Sequence, residues 1–171
     1  VYGGGGNSGA PWLSDYIELH NNGIGTVDIT GWSVQYASST GTTWQKTALA
    51  GVIPAGGYYL VKQADGGNAA ATPLPAPDAS GTIAMSGSAG KVALVNQDVT
   101  IASGTLTPTG VTIVDVVGFG PATIGSETAP VAPNLANTTA AIRNSAGCSE
   151  TDNNFADFTV GAPAPRNSAA P

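Results

Sequence analysis

Asp15-Tyr16-Ile17-Glu18-Leu19-His20, followed by Asn21-Asn22-Gly23, decides the fold. Its apolar residues recur at every second position. Ile17 and Leu19 therefore share one face, and Tyr16, Glu18 and His20 the other, which is the period of a strand and not of a helix. Asn21-Asn22-Gly23 then supplies a turn. The same pattern continues outward. Val27 and Ile29, then Trp32, Val34 and Tyr36, stand two apart, and Thr30-Gly31 shifts the register between them as a bulge would. Tyr58-Tyr59-Leu60-Val61 is entered from Ile53-Pro54-Ala55-Gly56-Gly57. Further runs fall at 82–85, 91–95, 111–117, 140–143 and 157–160. This spacing predicts an all-β sandwich or barrel of about eight or nine short strands, with no capped helix.

Between the strands lie long segments rich in Pro, Ala and Gly. Residues 63–81 and 120–139 read as loops, and 161–171 as a Pro/Ala-rich C-terminal tail. The 171 residues fit one domain, expected over 1–160, with that tail behind it. Only 9% of residues are charged, and the net charge is -6. Five Lys and Arg cannot build the basic stripe that nucleic acid requires. No stretch approaches the ~20 apolar residues of a membrane span. Sparse charge with abundant Ala, Gly, Thr and Ser suits a secreted or cell-surface protein.

The chemistry-bearing residues are few. The chain has one histidine and one cysteine. His20 ends a strand before a turn, where a polar residue is expected in any case. Cys148 has no basic neighbour to make it a thiolate. Gly3-Gly4-Gly5-Gly6 lacks the Gly-Lys-Ser/Thr that would make it a phosphate loop, and reads as a flexible or bulged connection to Trp12. No catalytic residue is assigned. Residues 150–157 concentrate oxygen ligands, and Glu150, Asp152, Asn154 and Asp157 could hold Ca²⁺; the alternative is a turn whose side chains bond their own backbone. Trp12, Tyr16 and Trp44 are the candidates for stacking on a sugar. Trp32 and Tyr58 sit inside apolar alternation and read as core.

Several segments, in order, resemble the bacterial exported branch of the lamin tail domain family. They are Val1-Tyr2-Gly3-Gly4-Gly5-Gly6-Asn7-Ser8-Gly9 with Asp15 to Asn21, then Asp28-Ile29-Thr30-Gly31-Trp32, then Pro54-Ala55-Gly56-Gly57-Tyr58-Tyr59-Leu60. Asp115-Val116-Val117-Gly118-Phe119-Gly120, Gly147-Cys148-Ser149-Glu150-Thr151-Asp152-Asn153-Asn154 and Gly161 to Ser168 continue the likeness. The resemblance implies an immunoglobulin-like β-sandwich and a non-catalytic role. With the weak charge it points to a structural or adhesive module of the cell surface that associates with itself, as a filament or surface layer, or with other surface proteins. Two alternatives stand beside it: an accessory domain binding polysaccharide or cell wall, and a calcium-stabilised module accompanying a secreted hydrolase.

Overall fold

The computed structural model describes residues 1–103, 111–121 and 123–170. Eleven strands lie among the described residues: β1 (Ser14–His20), β2 (Val27–Asp28), β3 (Ser33–Ser38), β4 (Gln45–Ala48), β5 (Val52–Ile53), β6 (Tyr58–Asp65), β7 (Ala79–Ser80), β8 (Gly90–Val95), β9 (Ile113–Phe119), β10 (Ala140–Arg143) and β11 (Phe158–Gly161). One sheet has the order β4-β3-β8-β9, and a second has β1-β6-β7. The β10-β11 hairpin and the small β2-β5 ladder complete the layers. β1 and β6 run antiparallel, with Ile17 opposite Val61 and Leu19 opposite Tyr59.

The alternation read from the sequence sets what each face buries. Ile17, Tyr59 and Val61 meet Val34, Tyr36, Val92, Val117 and Phe119 across the sandwich, and these form the large core. The opposite face of β1 is covered too. Tyr16 packs with Tyr2, Leu60 and Ala140 in a separate cluster. The outer face of β3 and β8 is closed by Trp44, Ile101 and Val116 against Ala37, Ala93 and Val95. Gln35 lies fully buried there, donating to the Val99 carbonyl and accepting from the Ile101 N–H. A buried amide needs such partners, so this one side chain pins the segment after β8 to the sheet.

Three short strands, β4, β5 and β7, carry too few alternating apolar residues to be read from sequence. Conversely, the run 82–85 is not a strand. Its backbone donors go to side chains: Ile83 N–H to Gln63 Oε1 and Met85 N–H to Asp15 Oδ2. Thr30-Gly31 is a turn between two different ladders, with the Trp32 N–H on the Ile29 carbonyl and Gly31 at φ +81°, and not a bulge within one strand. Two four-residue turns lie between β10 and β11: Asn144–Gly147, which is left-handed at Ser145 and Ala146, and Asn154–Asp157, a single helical turn; neither has a side-chain cap.

Candidate functional site

β10 lies alongside β1 with a cleft between them. Among the described residues, Val1 and Tyr2 enter this gap. Tyr2 exchanges both main-chain hydrogen bonds with Tyr16 of β1, and Val1 exchanges both with Ala141 of β10. Beyond Val1 the gap opens into a cavity of about 660 Å³. Leu19, Val92, Leu94, Val117 and Phe158 make its apolar interior, and Glu18, His20, Asp115, Arg143 and Arg166 its polar lining.

The charged groups of this cleft are held in pairs. Arg143, at the end of β10, donates to Asp115 of β9 and to Glu150. Its guanidinium lies 4.4 Å from the centre of the Phe158 ring, a cation–π contact. Burial pushes the Asp115 carboxyl above its ordinary range, against the pull of Arg143. Arg166 reaches back from the C-terminal segment to Glu18, at 2.8 Å, and stacks 3.8 Å over Tyr58. His20 stacks on Tyr58 at 4.6 Å between ring centres. The segment from Gly161 onward is thus tied to the sandwich through Arg166 and through Trp12, whose Nε1 donates to the Pro163 carbonyl.

The sequence candidates take varied places. Tyr16 and Trp44 are buried at 4% and 6% exposure. Trp12 is half-buried under the C-terminal segment. The outward face of β1 that Tyr16 occupies is not open to solvent, because Tyr2 and residues 163–166 cover it. The four oxygen-ligand candidates do not converge on one point, and three of them bond other groups of the protein. Glu150 accepts from Arg143 and from the Asp152 N–H. Asp152 is exposed. Asn154 is fully buried and turned into β9. Asp157 accepts four hydrogen bonds from Ser149, Thr151 and Asn153 of its own loop. Burial opposes ionisation of Asp157, and those bonds together outweigh it and hold its pKa below the ordinary value.

Glu150 instead belongs to a cluster with Asp115 and Glu127, whose carboxylate oxygens lie within 4.8 Å of one another. Arg143 supplies the positive charge there. Sequence reading missed Asp115, Glu127 and Arg143, since they come from three distant segments. The available signal was scarcity: in a chain with five cations, each is expected to have an assigned partner.

Two carboxyls carry a pH consequence. Asp15 is 5% exposed and accepts from Gly5 N–H and Met85 N–H, each at 2.8 Å. Burial nevertheless pushes it up to about 6. Burial, with the Asp115 charge adding, pushes Glu127 up to about 7. A folded-state pKa above the unfolded value means that the folded chain holds more protons in the interval between them. Stability is therefore gained as pH falls through that interval. Calorimetry is expected to show the melting temperature rising from pH 6 to pH 4, by the equivalent of roughly 2 kcal/mol. A monotonic loss of stability over that range would contradict it.

The lamin tail domain family profile matches residues 1–121. The chain belongs to the lamin tail domain family. The two-sheet sandwich is the immunoglobulin-like fold of that family, and the match covers β1 to β9. No curated protein and no solved structure matches the chain. A lamin tail domain is a structural or protein-interaction module and is typically non-catalytic. No helix among the described residues is long and apolar enough to cross a membrane.

Proposed function

We propose that this lamin tail domain is a non-enzymatic structural module, secreted or at the cell surface, which associates with copies of itself and with other surface proteins through its sheet edges. The observation that carries the reading is β4. It has β3 on one side and no strand on the other among the described residues. An open edge pairs with other chains unless something blocks it, and lysine is the usual guard. Lys46 is the lysine of β4, but it is drawn aside into an ion pair with Asp98. Exposed apolar side chains also stand elsewhere on this sparsely charged surface, among them Ile24, Val52 and Phe155.

Negative-stain electron microscopy and sedimentation velocity at rising concentration test this. Ordered oligomers are expected, and the double variant Gln45→Lys/Ala48→Lys, both at exposed positions of β4, is expected to return them to monomers. Monomers at every concentration, or assemblies indifferent to the added charges, would overturn the reading.

A further inference from the structure

Residues 162–168 lie on the sandwich in the manner of a bound peptide. Pro163 and Pro165 have no N–H to give to a ladder, and 162–167 form no strand. Among the described residues no main-chain to main-chain bond ties 162–168 to the sandwich. The ties run through side chains instead. Trp12 Nε1 donates to the Pro163 carbonyl at 3.0 Å, Asn167 Nδ2 to the Ala76 carbonyl at 2.9 Å, and the Ser168 N–H to Asp78 Oδ2 at 3.0 Å. Pro163 is buried in this packing, whereas Ala162 just before it is exposed. Behind Ala162 the chain is fixed, because Gly161 pairs with Ala140 in the β10-β11 ladder.

Arg166 is the anchor of the segment. The Glu18 carboxylate accepts its main-chain N–H at 2.6 Å, its Nε at 3.2 Å and its Nη2 at 2.8 Å. Its Nη1 donates to the Tyr58 hydroxyl at 2.7 Å, and the guanidinium lies over the Tyr58 ring. A carboxylate along the edge and an aromatic face beneath match the shape of a guanidinium as well as its charge. The groove is thus a built seat for Pro-Ala-Pro-Arg-Asn-Ser, and its occupant is joined to the body of the domain through one exposed residue.

We propose that segment 162–168 exchanges between copies of this chain, so that Arg166 of one copy enters the Glu18–Tyr58 seat of another. The same bonds form whichever copy supplies the segment, so exchange keeps each contact and costs only the entropy of association. The inference rests on the self-association reading and gives it a second surface. Pairing of β4 with β4 of a copy is two-fold and closes a dimer. A segment entering a different surface is a head-to-tail contact, which runs on from copy to copy unless two copies close reciprocally. On its short link the segment meets its own seat at an effective concentration of about millimolar, so exchange takes over where copies are packed to that density.

Two single-cysteine chains test this, both carrying Cys148→Ser and the Gln45→Lys/Ala48→Lys pair that blocks β4. One adds Ala76→Cys, beside the seat, and the other Asn167→Cys, on the segment. A short bis-maleimide joins the thiols. Neither chain can be joined within itself, and random collision never yields more heterotypic than homotypic dimer. At about 1 mM protein, the heterotypic dimer is expected in severalfold excess. Arg166→Ala is expected to act in opposite directions. In the Ala76→Cys chain it frees the seat and raises the heterotypic yield; in the Asn167→Cys chain it weakens the incoming segment and lowers the yield to the homotypic level. Heterotypic dimer at or below the homotypic level, or the same response to Arg166→Ala in both chains, would overturn the exchange. The double variant Ala76→Cys/Asn167→Cys in one chain, in dilute solution, is expected to cross-link internally, and its failure to do so would overturn the seat itself. Because β4 is blocked throughout, an excess of heterotypic dimer stands even where the β4 reading fails, and a random share sinks the exchange while leaving β4 untouched.

Discussion

Gly5→Ala is expected to lower the melting temperature by about 10 °C or more, a loss of about 4 kcal/mol, while Gly25→Ala changes it little. The ground is the packing of the glycine run. A Cβ added at Gly5 would lie 2.1 Å from the Ser14 carbonyl carbon and 2.2 Å from the Asp15 nitrogen. Both are backbone atoms of β1, which cannot move aside as a flexible side chain can. The Gly5 N–H also donates to the buried Asp15 carboxylate, so any retreat of the loop leaves a buried acceptor short of a partner. Next to it Gly6 has φ +59° and lies against Gly66, a conformation and a closeness that only glycine tolerates. Gly25 has open space around its Cβ position, which makes it the control for the generic effect of the substitution. Thermal melts of the two variants beside the parent decide it. A Gly5→Ala protein within about 1 kcal/mol of the parent would show that the loop yields where the backbone contacts say that it cannot.

That glycine run shows where sequence reading stops. Alternation located β1, β3, β6 and β8, because each buries a regular apolar face and the pattern is local. Gly3 to Gly6 read as a flexible connection, since a sequence does not show what a glycine touches; in the fold all four are buried against other backbone segments. Trp44 and Tyr16 read as exposed because each stands beside polar neighbours. The segments that cover them come from elsewhere in the chain, Ile101 and Val116 over Trp44, Tyr2 over Tyr16. The same holds for the charged cleft. Arg143 meets Asp115 from β9 and Glu150 from the following loop, and no spacing rule links those three positions. The lamin tail likeness was legible because it rests on the order of many short segments, and the family match covers the same stretch through residue 121. The cleft between β1 and β10 was not legible, since it is defined by two strands that meet only in the folded chain.

Asn154→Ala is expected to cost about 4 kcal/mol, and its effect will be traceable to one seam of the fold. Asn154 is wholly buried and uses its amide in full. Its Oδ1 accepts from Gly118 N–H at 2.8 Å and Glu127 N–H at 3.2 Å. Its Nδ2 donates to the Val116 carbonyl and to Glu127 Oε2, each at 2.8 Å. One side chain thereby joins β9 to the segment before β10 and to the loop before β11. Glu127 closes the link by accepting from the Val116 N–H at 3.2 Å. Truncation strands two donors and two acceptors in a place where only some can reach water, and each stranded group costs about 1–3 kcal/mol. Asn154→Asp separates the hydrogen bonds from the volume. The new carboxylate keeps the size and the acceptor, but it faces Glu127 without a donor between them. Two carboxyls so placed share a proton, so protonation restores the lost donor. The deficit of Asn154→Asp relative to the parent is therefore expected to shrink from pH 7 to pH 5, whereas that of Asn154→Ala stays nearly constant. Calorimetry across that range, with amide exchange read at Gly118 and Glu127, is the measurement. A pH-independent deficit in Asn154→Asp would mean that the amide acts by filling space and not by bridging the two segments.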